Sequence, residues 1–324
     1  MSSLRWTRLL LLVLATPVAA WAGFDEALKA IQAKDFALAQ SEARASADGG
    51  DPRGNFLLGV MLQSGLGVSA DPVQAVAQFE KAAQGGVAGA YSRLAQAYAR
   101  GAGVARDGDK AIAYARKSAQ IGEPEGTFFL SVILTNEYLS YLDANGKPDN
   151  AKYAQLAKRP LSERAVDTEA RDALYYAAGK GLPQAMNMLA LTFGASIGDG
   201  NRKRLQALTE KLAGNAPPAV QNFGRIARYM DSLGESYASP QLFADAQAAQ
   251  MFAAMVQTCG LQKANEGNDK PAPPKLLSTR ITKPVTDAVY LPSRIAGYEK
   301  AYLVSGQWEE GWTYSGCDRT ATVT

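Results

Sequence analysis

The chain has 324 residues, 47% of them hydrophobic and 20% charged, with a formal net charge of +3 and no histidine. Without imidazole, Ser-His-Asp and Cys-His nucleophile systems and histidine-built zinc sites are excluded, and two cysteines cannot make a four-thiolate site. Arg5 and Arg8 account for most of the small positive excess, so the remainder carries no basic footprint for nucleic acid.

Residues 1–22 read as a secretory leader. Arg5 and Arg8 form its positive end, Leu9–Ala15 its apolar run, and Ala20-Trp21-Ala22 its small-x-small site, which predicts cleavage before Gly23. That run is far shorter than the ~20 residues of a spanning helix, and no later segment is apolar enough to cross a bilayer. No cysteine follows the cleavage point, which speaks against a lipid anchor there. A soluble, periplasmic location is the expectation.

Phe24–Ala47 predicts an opening helix pair broken near Lys34-Asp35. The stretches 51–86 and 87–122 are then one unit written twice, a length and layout expected of helical repeats. Leu58 aligns with Leu94, Gly65 with Gly101, Gly67 with Gly103, Asp71 with Asp107 and Lys81 with Lys117. Asp71-Pro72 predicts a capped helix start. Leu58, Leu62 and their counterparts Leu94 and Tyr98 lie four apart and share a face, with Gly59 or Ala95 beside them allowing close approach. Gly65, Gly67, Gly101 and Gly103 predict a tight helix–helix turn with left-handed backbone.

This pattern, Leu-small-x-x-Leu/Tyr followed by Gly-x-Gly-Val, an aspartate and Lys-x-Ala-x-x-Gly, resembles the Sel1-like repeat family. The resemblance implies an all-α fold of antiparallel helix pairs, related to tetratricopeptide repeats and wound into a right-handed solenoid. It spans roughly 24–230 and is strongest in the middle. Weaker likenesses lie at Tyr176–Gly181, Ala185–Gly198, Lys211–Asn215 and the helix-like Val220–Met230. An insertion at 141–150 carries Asp143, Asn145 and Asp149, but lacks the glycine and terminal glutamate of a calcium loop, so it reads as a solvated turn.

Beyond Gln241–Thr258, a further helix, Lys263–Lys275 reads as a linker. Short β-type runs follow at 288–291, 298–304, 307–314 and 320–323, with Ser305-Gly306 as the expected hairpin turn. The expected organisation is thus a leader at 1–22, a repeat solenoid at 23–236, a helix and linker at 237–275 and a small β appendix at 276–324. Trp308, Glu310, Trp312 and Tyr314 fall on one strand face, where packing is the favoured role. Cys259 and Cys317 are expected to pair in an oxidising compartment.

Such solenoids present curved surfaces to partners. A protein–protein scaffold in the cell envelope is therefore the expectation, with Ser92, Gln96, Arg100 and Asn187 as groove residues and no catalytic residue, metal or cofactor. Glu309 and Glu310 are adjacent and point to opposite strand faces, and Glu163 and Glu169 read as solvated, so no carboxylate pair is placed for hydrolysis. The alternative is binding of cell-wall glycan, in which Trp308 and Trp312 would stack on sugars, with or without weak hydrolysis.

Overall fold

The computed structural model describes residues 18–135, 165–261, 272–291, 295 and 302–324. The insertion with Asp143, Asn145 and Asp149, together with Glu163, lies outside these residues, as does most of the expected leader. Two compact units divide the chain, residues 1–126 and 127–324.

In the first unit the helices are α1 (Val18–Gln32), α2 (Phe36–Asp48), α3 (Pro52–Ser64), α4 (Pro72–Gln84), α5 (Ala88–Arg100) and α6 (Gly108–Ile121), and α7 (Pro124–Thr135) begins at its end. Each helix from α1 to α5 packs on the one that follows it, the pattern of stacked hairpins. The starts follow from the aspartates: Asp35, Asp51, Asp71 and Asp107 accept hydrogen bonds from Leu38 N, Arg53 N, Gln74 N and Lys110 N. Each cap satisfies an amide that the first helical turn leaves free. The opening pair breaks at 33–35, as expected, and the predicted cleavage point before Gly23 falls within α1.

The duplicated turns explain their glycines. Gly65, Gly67, Gly101 and Gly103 have φ of 67°, 71°, 72° and 78°. At Gly103 a second constraint is added, because a Cβ would lie 2.1 Å from the Pro72 carbonyl oxygen of the preceding hairpin. Inside each pair, Phe79, Leu94 and Ala95 are fully enclosed. Gly59 leaves room for the Phe79 ring, 2.6 Å from where a methyl would sit.

The second unit holds α8 (Ala165–Gly179), α9 (Pro183–Ala195), α10 (Asp199–Leu212), α11 (Pro218–Leu233) and α12 (Pro240–Cys259), then β1 (Lys275–Leu291), β2 (Tyr302–Gly316) and β3 (Arg319–Val323). Helices α8 to α11 enclose Leu189, Phe193, Leu205 and Val220. A separate core joins Met230 and Leu233 of α11, Phe243 and Ala254 of α12, and Leu276, Trp312, Tyr314 and Val323 of the sheet. Phe243 stacks on Trp312 at 4.7 Å between ring centres. Burial pushes the Tyr314 hydroxyl up to about 12.

The sheet is antiparallel in the order β1-β2-β3 and corrects three expectations. Ser305-Gly306 is not a turn but lies inside β2, where Ser305 pairs with Val289. Gly306 is there because a Cβ would lie 2.7 Å from a Val285 methyl. The real turn is Cys317-Asp318, with φ of 45° and 58°, the doubly left-handed form that suits a two-residue hairpin. The expected linker also ends early, since Lys275 already pairs with Ser315. The expected run at 288–291 is the end of β1, and its earlier part was missed because Lys, Thr, Arg and Pro284 replace the usual apolar alternation along a largely exposed strand.

Cys259 and Cys317 form a disulfide with Cα atoms 5.4 Å apart, joining the end of α12 to the β2–β3 turn. Closing a 58-residue loop stabilises by about 4 kcal/mol in the chain-entropy account.

The two turn positions should separate in a urea unfolding series. Gly101→Ala, which meets nothing closer than 3.4 Å, should cost about 1–2 kcal/mol for its left-handed backbone alone. Gly103→Ala should cost clearly more, because the Pro72 backbone must also move. Equal losses would show that close approach contributes nothing.

Candidate functional site

In the repeats, exposure along α5 decides which expected groove residues are available. Ser92 is 4% exposed, and its hydroxyl donates to the Gly89 carbonyl at 3.0 Å. It is not a groove residue. With Ala95 and Ala99 it forms a stripe of small buried side chains, spaced as one helix face. Gln96 is half-buried and Arg100 exposed. Arg93 joins them one turn earlier, so Arg93, Gln96 and Arg100 share a face by their i, i+3, i+7 spacing. Its guanidinium donates to Gln63 Oε1 of α3 at 3.2 Å, so the polar strip runs from α3 on to α5. That spacing was legible in the sequence; the contact to Gln63, 30 residues away, was not.

At the end of α6, Glu123 accepts from Ser118 Oγ at 2.8 Å and from Gly126 N. Burial, then a hydrogen bond to Glu125, hold the Glu123 carboxyl above its ordinary range. That hydrogen bond, with help from nearby Arg93, keeps Glu125 below its own range. Asn187 belongs to the second unit. It is half-buried on α9, and its Oδ1 has no hydrogen-bond partner among the described residues.

The second unit contains a cleft of about 680 Å³ lined by α10, the end of α11, the 234–237 segment and β1. Two charged side chains hold that segment. Arg202, 2% exposed, donates to Asp231 Oδ1 at 3.2 Å, to Asp199 Oδ1 at 3.1 Å and to the Ser236 carbonyl. From β2, Glu310 accepts from Ser236 Oγ at 2.8 Å, Tyr237 N at 2.6 Å, Ala238 N at 3.1 Å, Trp308 Nε1 at 2.8 Å and Trp312 Nε1 at 3.1 Å. A carboxylate receiving five donors satisfies both indoles and the loop together.

The aromatic stripe on β2 is thereby explained as packing around a polar hub. Trp312 is 4% exposed and covered by Phe243, so its ring is closed to a sugar, while half-buried Trp308 meets Tyr237 edge-on. Glu309 points the other way and pairs with Lys283. No helix among the described residues is long and apolar enough to cross a membrane.

Glu310→Ala strands five donors and should lower the unfolding free energy by about 3 kcal/mol or more. Glu310→Gln keeps one acceptor oxygen, enough for the three donors at Oε1, but turns a donating NH2 toward the Trp312 indole, so it should cost less than the alanine change. Urea denaturation followed by tryptophan fluorescence reads both, and an unchanged midpoint for the alanine variant would contradict the hub.

Comparison with known proteins places the repeat geometry. The Sel1 repeat family matches residues 52–87 and 88–123, the two hairpins α3–α4 and α5–α6. Among solved structures, the chain is similar to c5321, described as a protective antigen present in uropathogenic Escherichia coli strains displaying an SLR fold. The identity is 22% and the TM-score 0.51, over 74% of this chain and 48% of that one. The chain thus spans about half the length of that protein, and at this identity the likeness concerns fold. A Sel1 repeat protein from Oxalobacter formigenes matches at 26% identity and a TM-score of 0.36, over 44% of this chain and 57% of that one. No curated protein sequence matches the chain. Residues 52–87 and 88–123 are thus two consecutive Sel1 repeats.

Proposed function

We propose that the chain is an exported scaffold whose Sel1 hairpins hold a protein partner along the α3–α5 face. The carrying observation is the strip of Gln63, Arg93, Gln96 and Arg100 on rigid consecutive repeats. Such repeats commonly serve as docking surfaces rather than reaction chambers. Two arginines on that strip favour an acidic partner segment, since guanidinium pairs well with carboxylate. The leader-like pattern at 1–22 supports export to the periplasm, and the absence of histidine from the sequence leaves imidazole chemistry out of the role. A cell-wall glycan reading has less support, because of its two motivating tryptophans only half-buried Trp308 is even partly open.

A photo-crosslinking amino acid at Arg100, and separately at exposed Lys81 on α4, tests this in intact native cells. The expected result is a discrete protein adduct from position 100, absent from position 81, on a mature chain released with the periplasmic fraction and starting at Gly23. No adduct at position 100, or the same adducts from both positions, would overturn the reading.

A further inference from the structure

The free edge of β1 is met at one point by another segment. Gly234 forms an isolated parallel bridge to Thr279, with so close an approach that a Cβ at Gly234 would lie 2.4 Å from the Thr279 carbonyl oxygen. Pairing stops there. The chain is drawn away from the edge and across the sheet, because Ser236, Tyr237 and Ala238 all donate to Glu310 on β2, the next strand. Arg202 fixes the same loop through the Ser236 carbonyl. Past Thr279 the edge therefore enters the 680 Å³ cleft, where Ile281 and Pro284 form one wall. That volume lies within the ~300–1,000 Å³ usual for ligand clefts.

An exposed strand edge is normally blunted by lysine, proline or bulges. Here lysine and proline come at the outer end of this stretch, at Lys283 and Pro284, while register shifts fall between Leu276 and Ser278, between Ile281 and Lys283, and beyond Lys283. From Ser278 to Ile281 the strand keeps regular register with β2 and carries no lysine or proline, and only Thr282 falls in a shift. A short strand can pair at these residues, but Pro284 offers no amide and ends the ladder. The length left open is only about 10 Å at ~3.3 Å per residue, too little for the long edge-to-edge pairing of two sheets. The charges narrow the choice further. Asp231 and Asp199 are engaged by Arg202, Gln206 and Lys203, whereas exposed Glu235 has no partner among the described residues.

We propose that this cleft takes a short extended peptide segment of a protein partner, which adds a strand to β1 at Arg280–Thr282 and sets a basic side chain against Glu235. Main-chain hydrogen bonds supply affinity in such strand addition, and the flanking pocket supplies selectivity. The site lies in the second unit and needs nothing from the repeat reading, so either can fail alone.

The test is selection of a phage-displayed random dodecapeptide library on the full mature chain, followed by synthesis of the recovered peptides. These are expected to carry lysine or arginine and to slow amide exchange at 280–282. Glu235→Lys, an exposed change that leaves the fold intact, should weaken them roughly fivefold or more. Backbone N-methylation of the peptides should abolish binding. The proposal is overturned if no peptide is recovered above background, if binding is indifferent to Glu235→Lys and to N-methylation, or if protection falls on α3 and α5 instead. It is equally overturned if sedimentation shows a second copy of the chain protecting 280–282.

Discussion

Successive hairpins in this protein meet backbone to backbone, and the repeat unit depends on that closeness. A methyl group at Gly54 would lie 2.4 Å from Ala47 N, and one at Gly103 would lie 2.1 Å from Pro72 O. Neither leaves space for any side chain. Helices held so near one another stack with little freedom to slide, and the aspartate caps and left-handed turns then set where each begins and ends. The result is a surface whose polar strip exists before any partner arrives, so association has little ordering cost to meet.

The second unit solves a different problem with charge. Its loop at 234–238 leaves the sheet edge and would expose unpaired amides if nothing received them. Glu310 takes two of those amides, a serine hydroxyl and two indoles, while Arg202 grips the same loop from α10. Breaking either partner would leave buried donors or a buried charge, which costs more than the intact arrangement contributes. The disulfide adds a covalent tie between α12 and the β2–β3 turn of the same unit. The side chains that secure the loop also draw it away from the β1 edge, so the proposed strand-addition site rests on the same residues as the stability of this unit.

The duplicated unit was legible because each residue could be checked against its copy 36 positions away. A glycine recurring in register has to answer a geometric need, and all four turn glycines do. Ser92 misled because angular position separates polar from apolar faces but ignores size: a serine beside two alanines is small enough for close packing to cover it. The sheet was read poorly for a related reason. Its first strand is mostly solvated and rich in lysine and threonine, so the period-2 apolar signal is absent, while Ser305-Gly306 imitates a turn. Glu310 stood out between two tryptophans, but its partners lie 72 to 74 residues away on the loop. Arg202 gave no signal, since it reads as one more charge on an amphipathic helix until its contacts at Asp231 and Ser236 are seen. Local pattern reveals a repeat, whereas polar hubs arise from long-range juxtaposition.

The central claim, that the α3–α5 strip is the docking surface, is tested most directly by affinity. The partner captured at position 100 should bind the Arg93→Glu/Arg100→Glu chain at least tenfold more weakly than the unaltered chain, a difference of ~1.4 kcal/mol, measured at a temperature where both chains are fully folded. Equal affinities for the two chains would place the docking surface elsewhere and contradict the account.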